Sequence, residues 1–161
     1  MIKGKSSKSW REKLEREMKP KLVEIPEEWA HRVGHGKMLV PTPLLIDKTI
    51  NKIPKGKLAT VNTIRDYLAN AFKADLTCPL TTGIFINIAA NTAEEDKSKG
   101  ATKITPYWRV IKEGGNLNPK FPGGVKQQAV YLKQEGFDIA AGKLNNRFFV
   151  KDFEKKLARL L

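Results

Sequence analysis

Cys78 is the one cysteine in 161 residues, so neither an internal disulfide nor a cysteine-rich zinc site can hold this chain together. His31 and His35 are its only histidines, and neither stands in a metalloprotease pattern, which argues against a His/Cys metal centre as well. The fold therefore has to come from a buried apolar core. Composition allows one, with 40% of residues apolar and 29% charged, close to ordinary globular usage. The length suits one domain with an appended arm or subdomain. No run of about 18 apolar residues offers a membrane span, and MIKGKSSKSW lacks the apolar centre of a secretory signal. A cytoplasmic protein without membrane association, cofactor or metal is expected, acting as a monomer.

Thirty Lys and Arg against seventeen Asp and Glu give a formal charge of +13, which points to a polyanionic partner, with nucleic acid first. Residues 1–21 carry eight basic and three acidic side chains. Trp10, Leu14 and Met18 recur at helical spacing there, so the arm reads as a short helix with one apolar stripe, stopped by Pro20. It either contacts DNA or docks on the domain by those three residues. VEIPEEWAHRVGHGKMLVPTP reads as an ordered loop or wrapping segment, which places residues 1–38 in an arm and 39–161 in the domain proper.

Within the domain, LLIDKTINKIP reads as a helix ended by Pro54. TVNTIRDYLANAF is another, with Thr60 or Asn62 as cap. TCPLTTGIFINIAANTAEE is a third, with Thr77 as N-cap and Pro79 in its first turn. The short connection around residues 73–76 makes the last two a helix-turn-helix. YWRVIKEGGNLN reads as a strand running into a glycine turn, PGGVKQQAVYLKQEGF as a helix closed by Gly136, and FDIAAGKLNNRFFV as a hairpin. KDFEKKLARLL carries Phe153, Leu157 and Leu160 at helical spacing. The class is mainly α with small β elements.

IPKGKLATVNTIRDYL, CPLTTGIFINIAAN, PYWRVIKEGG and FPGGVKQQAVYLKQEGF together resemble, in order, the DNA-binding domain of the O6-alkylguanine-DNA alkyltransferases over residues 40–137. The resemblance implies a winged helix-turn-helix and, at Pro106 to Val110, the place of a Pro-Cys-His-Arg-Val motif whose cysteine accepts an alkyl group from a flipped guanine. Pro106, Arg109 and Val110 match. Tyr107 and Trp108 replace the cysteine and the histidine. Alkyl transfer needs a thiolate activated by a base, and an indole has only an N–H donor. Glu135 matches the third partner but has no histidine to orient. The arginine that the family inserts into the base stack falls on Leu80, and a Tyr-Ser-Gly-Gly run falls on Phe121, Pro122, Gly123 and Gly124. The chain is also similar to the alkyltransferase-like branch, which carries tryptophan for the cysteine, binds alkylated DNA and passes it to repair proteins; that branch keeps the histidine and arginine absent here.

The resemblance thus implies a non-catalytic DNA-binding protein, with damaged duplex and a repair protein as partners. Tyr107 and Trp108 either stack a base or fill the former pocket. Thr81, Thr82, Asn87 and Asn91 are candidates to lie in a groove, with Lys55, Lys57, Lys103 and Arg109 on phosphates. Residues 74–96 contain no Lys or Arg, while Asp75, Glu94, Glu95 and Asp96 are acidic, a poor composition for a DNA anchor. That favours a second reading, a protein-interaction module. Cys78, at a helix start, reads as a buried small hydrophobe before it reads as a nucleophile.

Overall fold

The computed structural model describes residues 8–142 and 147–160; residues 1–7 of the basic arm, 143–146 of the expected hairpin and Leu161 lie outside them. The architecture is mainly helical with short strands. Three helices make the frame, and their starts follow the capping chemistry of the sequence. α3 (Pro43–Ile50) opens with Pro43 in its first turn and with Thr42 Oγ1 accepting from Leu45 N at 3.1 Å. α4 (Val61–Ala71) is capped by Thr60, whose Oγ1 accepts from Thr63 N at 3.0 Å.

α5 (Pro79–Ser98) runs for 20 residues and buries Phe85, Ile86, Ala89, Ala90 and Ala93 against the rest of the core. Its N-cap is Cys78 rather than the expected Thr77. The Thr77 hydroxyl donates instead to Arg65 O at 2.7 Å, because Thr77 belongs to a short strand, β4 (Leu76–Thr77), that tethers α5 to α4.

The expected loop of residues 23–43 is mostly regular structure, which begins at residue 21. Its elements are β1 (Lys21–Glu24), α2 (Glu27–Val33) and β2 (Lys37–Val40). Pro26 stands at the N-cap of α2, where its missing N–H costs nothing, and Gly34 ends the helix with φ +89°. β1 pairs antiparallel with β2, Leu22 opposite Leu39, and β2 pairs parallel with β4, Leu39 opposite Thr77. The expected division between residues 38 and 39 thus runs through β2. Ile25, Ala30, Met38 and Cys78 form a second small core beneath this sheet, so Cys78 is packed as the small hydrophobe expected of it.

α1 (Trp10–Leu14) ends at Glu15, well before Pro20, leaving Met18 beyond the helix yet still packed on the main core. It docks on the C-terminal half of α5. Trp10 N and Arg11 N donate to the Glu95 carboxylate at 3.0 and 3.2 Å, Arg11 pairs with Asp96, and Leu14 is 1% exposed. Of the two readings of the arm, its described helix takes the docked one.

The motif strand is brief: β5 (Val110–Ile111) pairs parallel with β3 (Ala59–Thr60). α6 (Gly124–Gln134) closes at Gly136, φ +90°, as expected. β6 (Ile139–Ala141) and β7 (Phe148–Val150) form the antiparallel hairpin. The C-terminal helix is absent. Phe153–Lys156 make one 3₁₀ turn, and the chain then pairs with Leu58, which donates to Lys156 O at 2.9 Å and accepts from Ala158 N at 2.8 Å. Those backbone groups are thereby lost to a helical ladder. Among the described residues no helix is long and apolar enough to cross a membrane.

Leu14→Ala should lower unfolding free energy by about 2–4 kcal/mol, the usual cost of emptying a buried leucine site. Urea denaturation reads this directly; a loss below about 0.5 kcal/mol, the size of a surface change, would mean that α1 is not part of the core.

Candidate nucleic-acid interface

The motif folds as a turn. Pro106 holds φ at −79°, Arg109 N donates to Pro106 O at 3.1 Å, and Tyr107–Arg109 form a 3₁₀ helix where a strand was expected. Three residues per turn send successive side chains about 120° apart. Tyr107 therefore reaches α5, Trp108 reaches α6, and Arg109 reaches the end of α3's loop. A strand would have aimed two of the three at one face.

Tyr107 is 0% exposed. Its hydroxyl donates to Glu94 Oε1 at 2.8 Å, and the Tyr131 hydroxyl donates to the same oxygen at 2.6 Å while accepting from Lys97 Nζ at 2.8 Å. The ring stands edge-on to Trp108, Phe121 and Tyr131, with centroids 5.5, 5.1 and 6.0 Å away. Trp108 stacks on Tyr131 at 4.3 Å and 18°. Tyr107 is fully buried and Trp108 9% exposed, with one indole face stacked on Tyr131, so neither ring is open to an incoming base. The space around the motif is packed, and the stacking-platform reading of Tyr107 and Trp108 does not hold in this conformation. Burial, and then the Glu94 carboxylate, push the Tyr107 phenol far above its ordinary range. It is a fixed donor at neutral pH and no substitute for a thiolate nucleophile.

Glu135 is the hub of a buried polar cluster. Its carboxylate accepts from Trp108 Nε1 at 2.6 Å, from Arg109 Nε at 2.9 and 3.1 Å, from Arg109 Nη2 at 3.0 Å and from Gly56 N at 3.2 Å. The Arg109 Nη1 donates to Ile53 O at 2.7 Å. With side chains 14% and 7% exposed, this fork-to-carboxylate pair is structural. Arg109 is therefore spent and is not the phosphate contact the sequence suggested. Burial alone would raise the Glu135 pKa, but the hydrogen bonds from Arg109, Trp108 and Gly56 outweigh it and hold the carboxyl below its usual range.

Sequence reading missed the supports on α6. Gln128, fully buried, donates to Trp108 O at 3.1 Å and Val110 O at 3.0 Å, and accepts from Asn118 N at 2.7 Å. Gln128, Tyr131, Leu132 and Glu135 recur at helical spacing, which is the signal that marks them as one inward face. The pocket-loop residues serve as the opening of that helix. Phe121 is 3% exposed against Tyr107, its carbonyl accepts from Gly124 N at 2.8 Å, and Pro122 is half-buried beside it. Gly123 sits at φ +75° where a Cβ would come within 2.6 Å of Gln127 Cβ, so only glycine fits.

The outer face of α5 is different. Leu80, Ile84, Asn87 and Asn91 fall at i, i+4, i+7 and i+11, one helical stripe. Leu80 is 64% and Ile84 50% exposed, an apolar pair with no covering element. Asn87 and Asn91 are half-buried, and Asn91 Nδ2 donates back to Asn87 O at 2.9 Å. Thr82 leaves the candidate list: it is fully buried and donates to Cys78 O at 2.6 Å. Thr81, beside Leu80, holds the one buried side-chain polar atom among the described residues without a hydrogen bond. Lys55, Lys57 and Lys103 are exposed. The loop carrying the first two is anchored at Glu135 and Leu157.

Each acid of the 74–96 segment has a partner away from that stripe. Asp75 Oδ2 accepts from Lys37 N at 2.8 Å, Glu94 holds the two tyrosines, Glu95 holds the first amides of α1, and Asp96 holds Arg11. The stripe is uncharged instead of acidic.

No protein-family model and no curated protein matches the sequence. Among solved structures, the chain has the fold of S. pombe Atl1 in complex with damaged DNA containing O6-carboxymethylguanine, with a TM-score of 0.50 and 17% identity over 73% of this chain and 94% of that one. A structure of S. pombe ATL in complex with DNA matches with a TM-score of 0.52 and 18% identity over the same shares.

Glu135→Ala leaves the Arg109 fork and the Trp108 N–H unpaired, and should cost about 3–5 kcal/mol in urea unfolding. A carboxyl held below its ordinary value stabilises the fold above that value, and the contribution disappears as pH falls through the lowered one. Stability of the parent should therefore decline below about pH 4.5, and Glu135→Gln should decline less steeply there; parallel curves would show that Glu135 carries no such linkage.

Proposed function

We propose that this chain is a non-catalytic, alkyltransferase-like DNA-binding protein: a winged helix-turn-helix in which α4 and α5 present the α5 stripe to duplex DNA and no alkyl group is transferred. The observation that carries the reading is that stripe, whose side chains are uncharged, with Leu80 and Ile84 exposed and each acid of its segment bonded elsewhere. Its chemistry suits bases better than phosphates. Asparagine amides pair with adenine edges, and apolar side chains such as Leu80 wedge between base steps. The fold shared with the DNA complexes of S. pombe Atl1 and ATL supports DNA as the partner, and exposed Lys55, Lys57 and Lys103 supply phosphate contacts around the stripe.

With the motif pocket filled by Tyr107, Trp108, Phe121 and Tyr131, preference for damage comes from the weakened stacking and pairing of the lesion, since such a base costs less to displace. A further partner is a repair protein that acts on the marked site. The competing reading, a protein-interaction module, draws on the lack of Lys and Arg over residues 74–96.

Titration into a duplex, the same duplex with one O6-methylguanine, and one with a mismatch at that position separates these. Both perturbed duplexes should bind about tenfold tighter than the intact one, the scale of an unstacking difference. Affinity should fall with salt and again on Lys55→Glu or Lys57→Glu, and Ile84→Glu should abolish the preference. No binding at low salt would sink the proposal and favour the interaction module.

A further inference from the structure

A cavity of about 460 Å³ lies between the start of α4, the loop after β5 and the C-terminal hairpin, within the range of roughly 300–1,000 Å³ typical of small-molecule sites. None of the motif positions 106–110 and 121–124 lines it, nor does the α5 stripe. Its walls are apolar, from Val61, Leu117, Pro119, Val125 and Phe148. Its rim carries two cations, Lys112 and Arg147, and neither has an ion-pair partner among the described residues. The rim acid, Glu113, turns Oε1 toward Asn62 N at 3.4 Å, so the charge of the three side chains is positive.

Two amides complete the lining with opposite free ends. Asn62 Oδ1 accepts from Arg65 Nη1 at 3.1 Å, which leaves its NH₂ to donate. Asn116 Nδ2 donates to Glu113 O at 2.7 Å, which leaves its carbonyl oxygen to accept. A donor and an acceptor beside apolar walls match the edge of a nucleobase, and two unpaired cations match a phosphate. We propose that this cavity binds one nucleotide unit, base against the Val61–Leu117–Phe148 wall and phosphate between Lys112 and Arg147. The unit is either a free mononucleotide or one residue of a displaced single strand. The site stands apart from the α5 face and does not depend on duplex binding.

Methyl NMR of the full chain titrated with dAMP tests this. Val61, Leu117 and Val125 methyls should shift saturably below about 10 mM, a weak single-nucleotide affinity. Deoxyadenosine and inorganic phosphate should each bind at least roughly tenfold more weakly, as should dAMP to the Lys112→Glu/Arg147→Glu double variant, since charge-assisted contacts carry that much. Both substitutions are at exposed positions, and an unchanged thermal midpoint confirms that the variant is folded. A short single-stranded oligo(dA) that moves the same methyls at lower concentration identifies a strand as the source; tighter dAMP binding identifies the free nucleotide. Unmoved methyls with dAMP, equal binding of deoxyadenosine, or an unaffected double variant would overturn the site. Ile84→Glu should leave dAMP binding intact, so failure of the duplex reading and failure of this one are distinguishable.

Discussion

The Glu135 carboxylate is the point on which the interior depends. It gathers the Trp108 indole, the Arg109 guanidinium and the Gly56 amide at one place, and Arg109 extends the tie to Ile53 O. Thus the end of α6, the motif turn and the loop after α3 are joined by one nearly buried ion pair. Such a charge is tolerated out of water only because its lone pairs are filled. Arg109 and Val110 are scaffold: the guanidinium holds Glu135 and Ile53 O, and Val110 pairs with Ala59 in the β3–β5 sheet.

A second economy of charge governs α5. Three consecutive acids, Glu94, Glu95 and Asp96, sit near a helix C-terminus, where the macrodipole disfavours them. Each is compensated by a different neighbour: two tyrosine hydroxyls, the N-terminal amides of α1, and Arg11. The first amides of a helix suit a carboxylate, which gives the basic arm a structural reason to lie where it does. The N-terminal half of α5 exposes Pro79, Leu80, Gly83 and Ile84 beside half-buried Asn87, and carries no charge.

Much of this was legible in the sequence, and what was not has a common cause. The Thr60 cap, Pro79 in the first turn and the Gly136 stop act over three or four residues, so α4, α5 and α6 could be read locally. The loss of the thiol and its base, read from Tyr107 and Trp108, needed no structure. The errors fall where a distant partner decides. Arg109 looked like a phosphate contact because its carboxylate lies 26 residues away; the last segment looked helical because Leu58, a hundred residues earlier, was not visible as its partner. Thr82 has the composition of a groove residue and the rotation of a core one. The segment after the arm differs for another reason: its Pro26 and Gly34 mark the two ends of α2 and do not make a loop of it.

The central claim is that Tyr107 and Trp108 are packed inside the protein and held there by Glu135. Hydrogen–deuterium exchange of the Trp108 indole N–H, followed by NMR in the free protein and with an O6-methylguanine duplex, tests it most directly. An indole donor buried on a carboxylate should exchange slowly, near the rate of global unfolding, and its resonance should stay in place when DNA is added. Fast exchange in the free protein, or a large shift and loss of protection on binding the lesion, would mean that the pocket opens and that Trp108 meets the base itself.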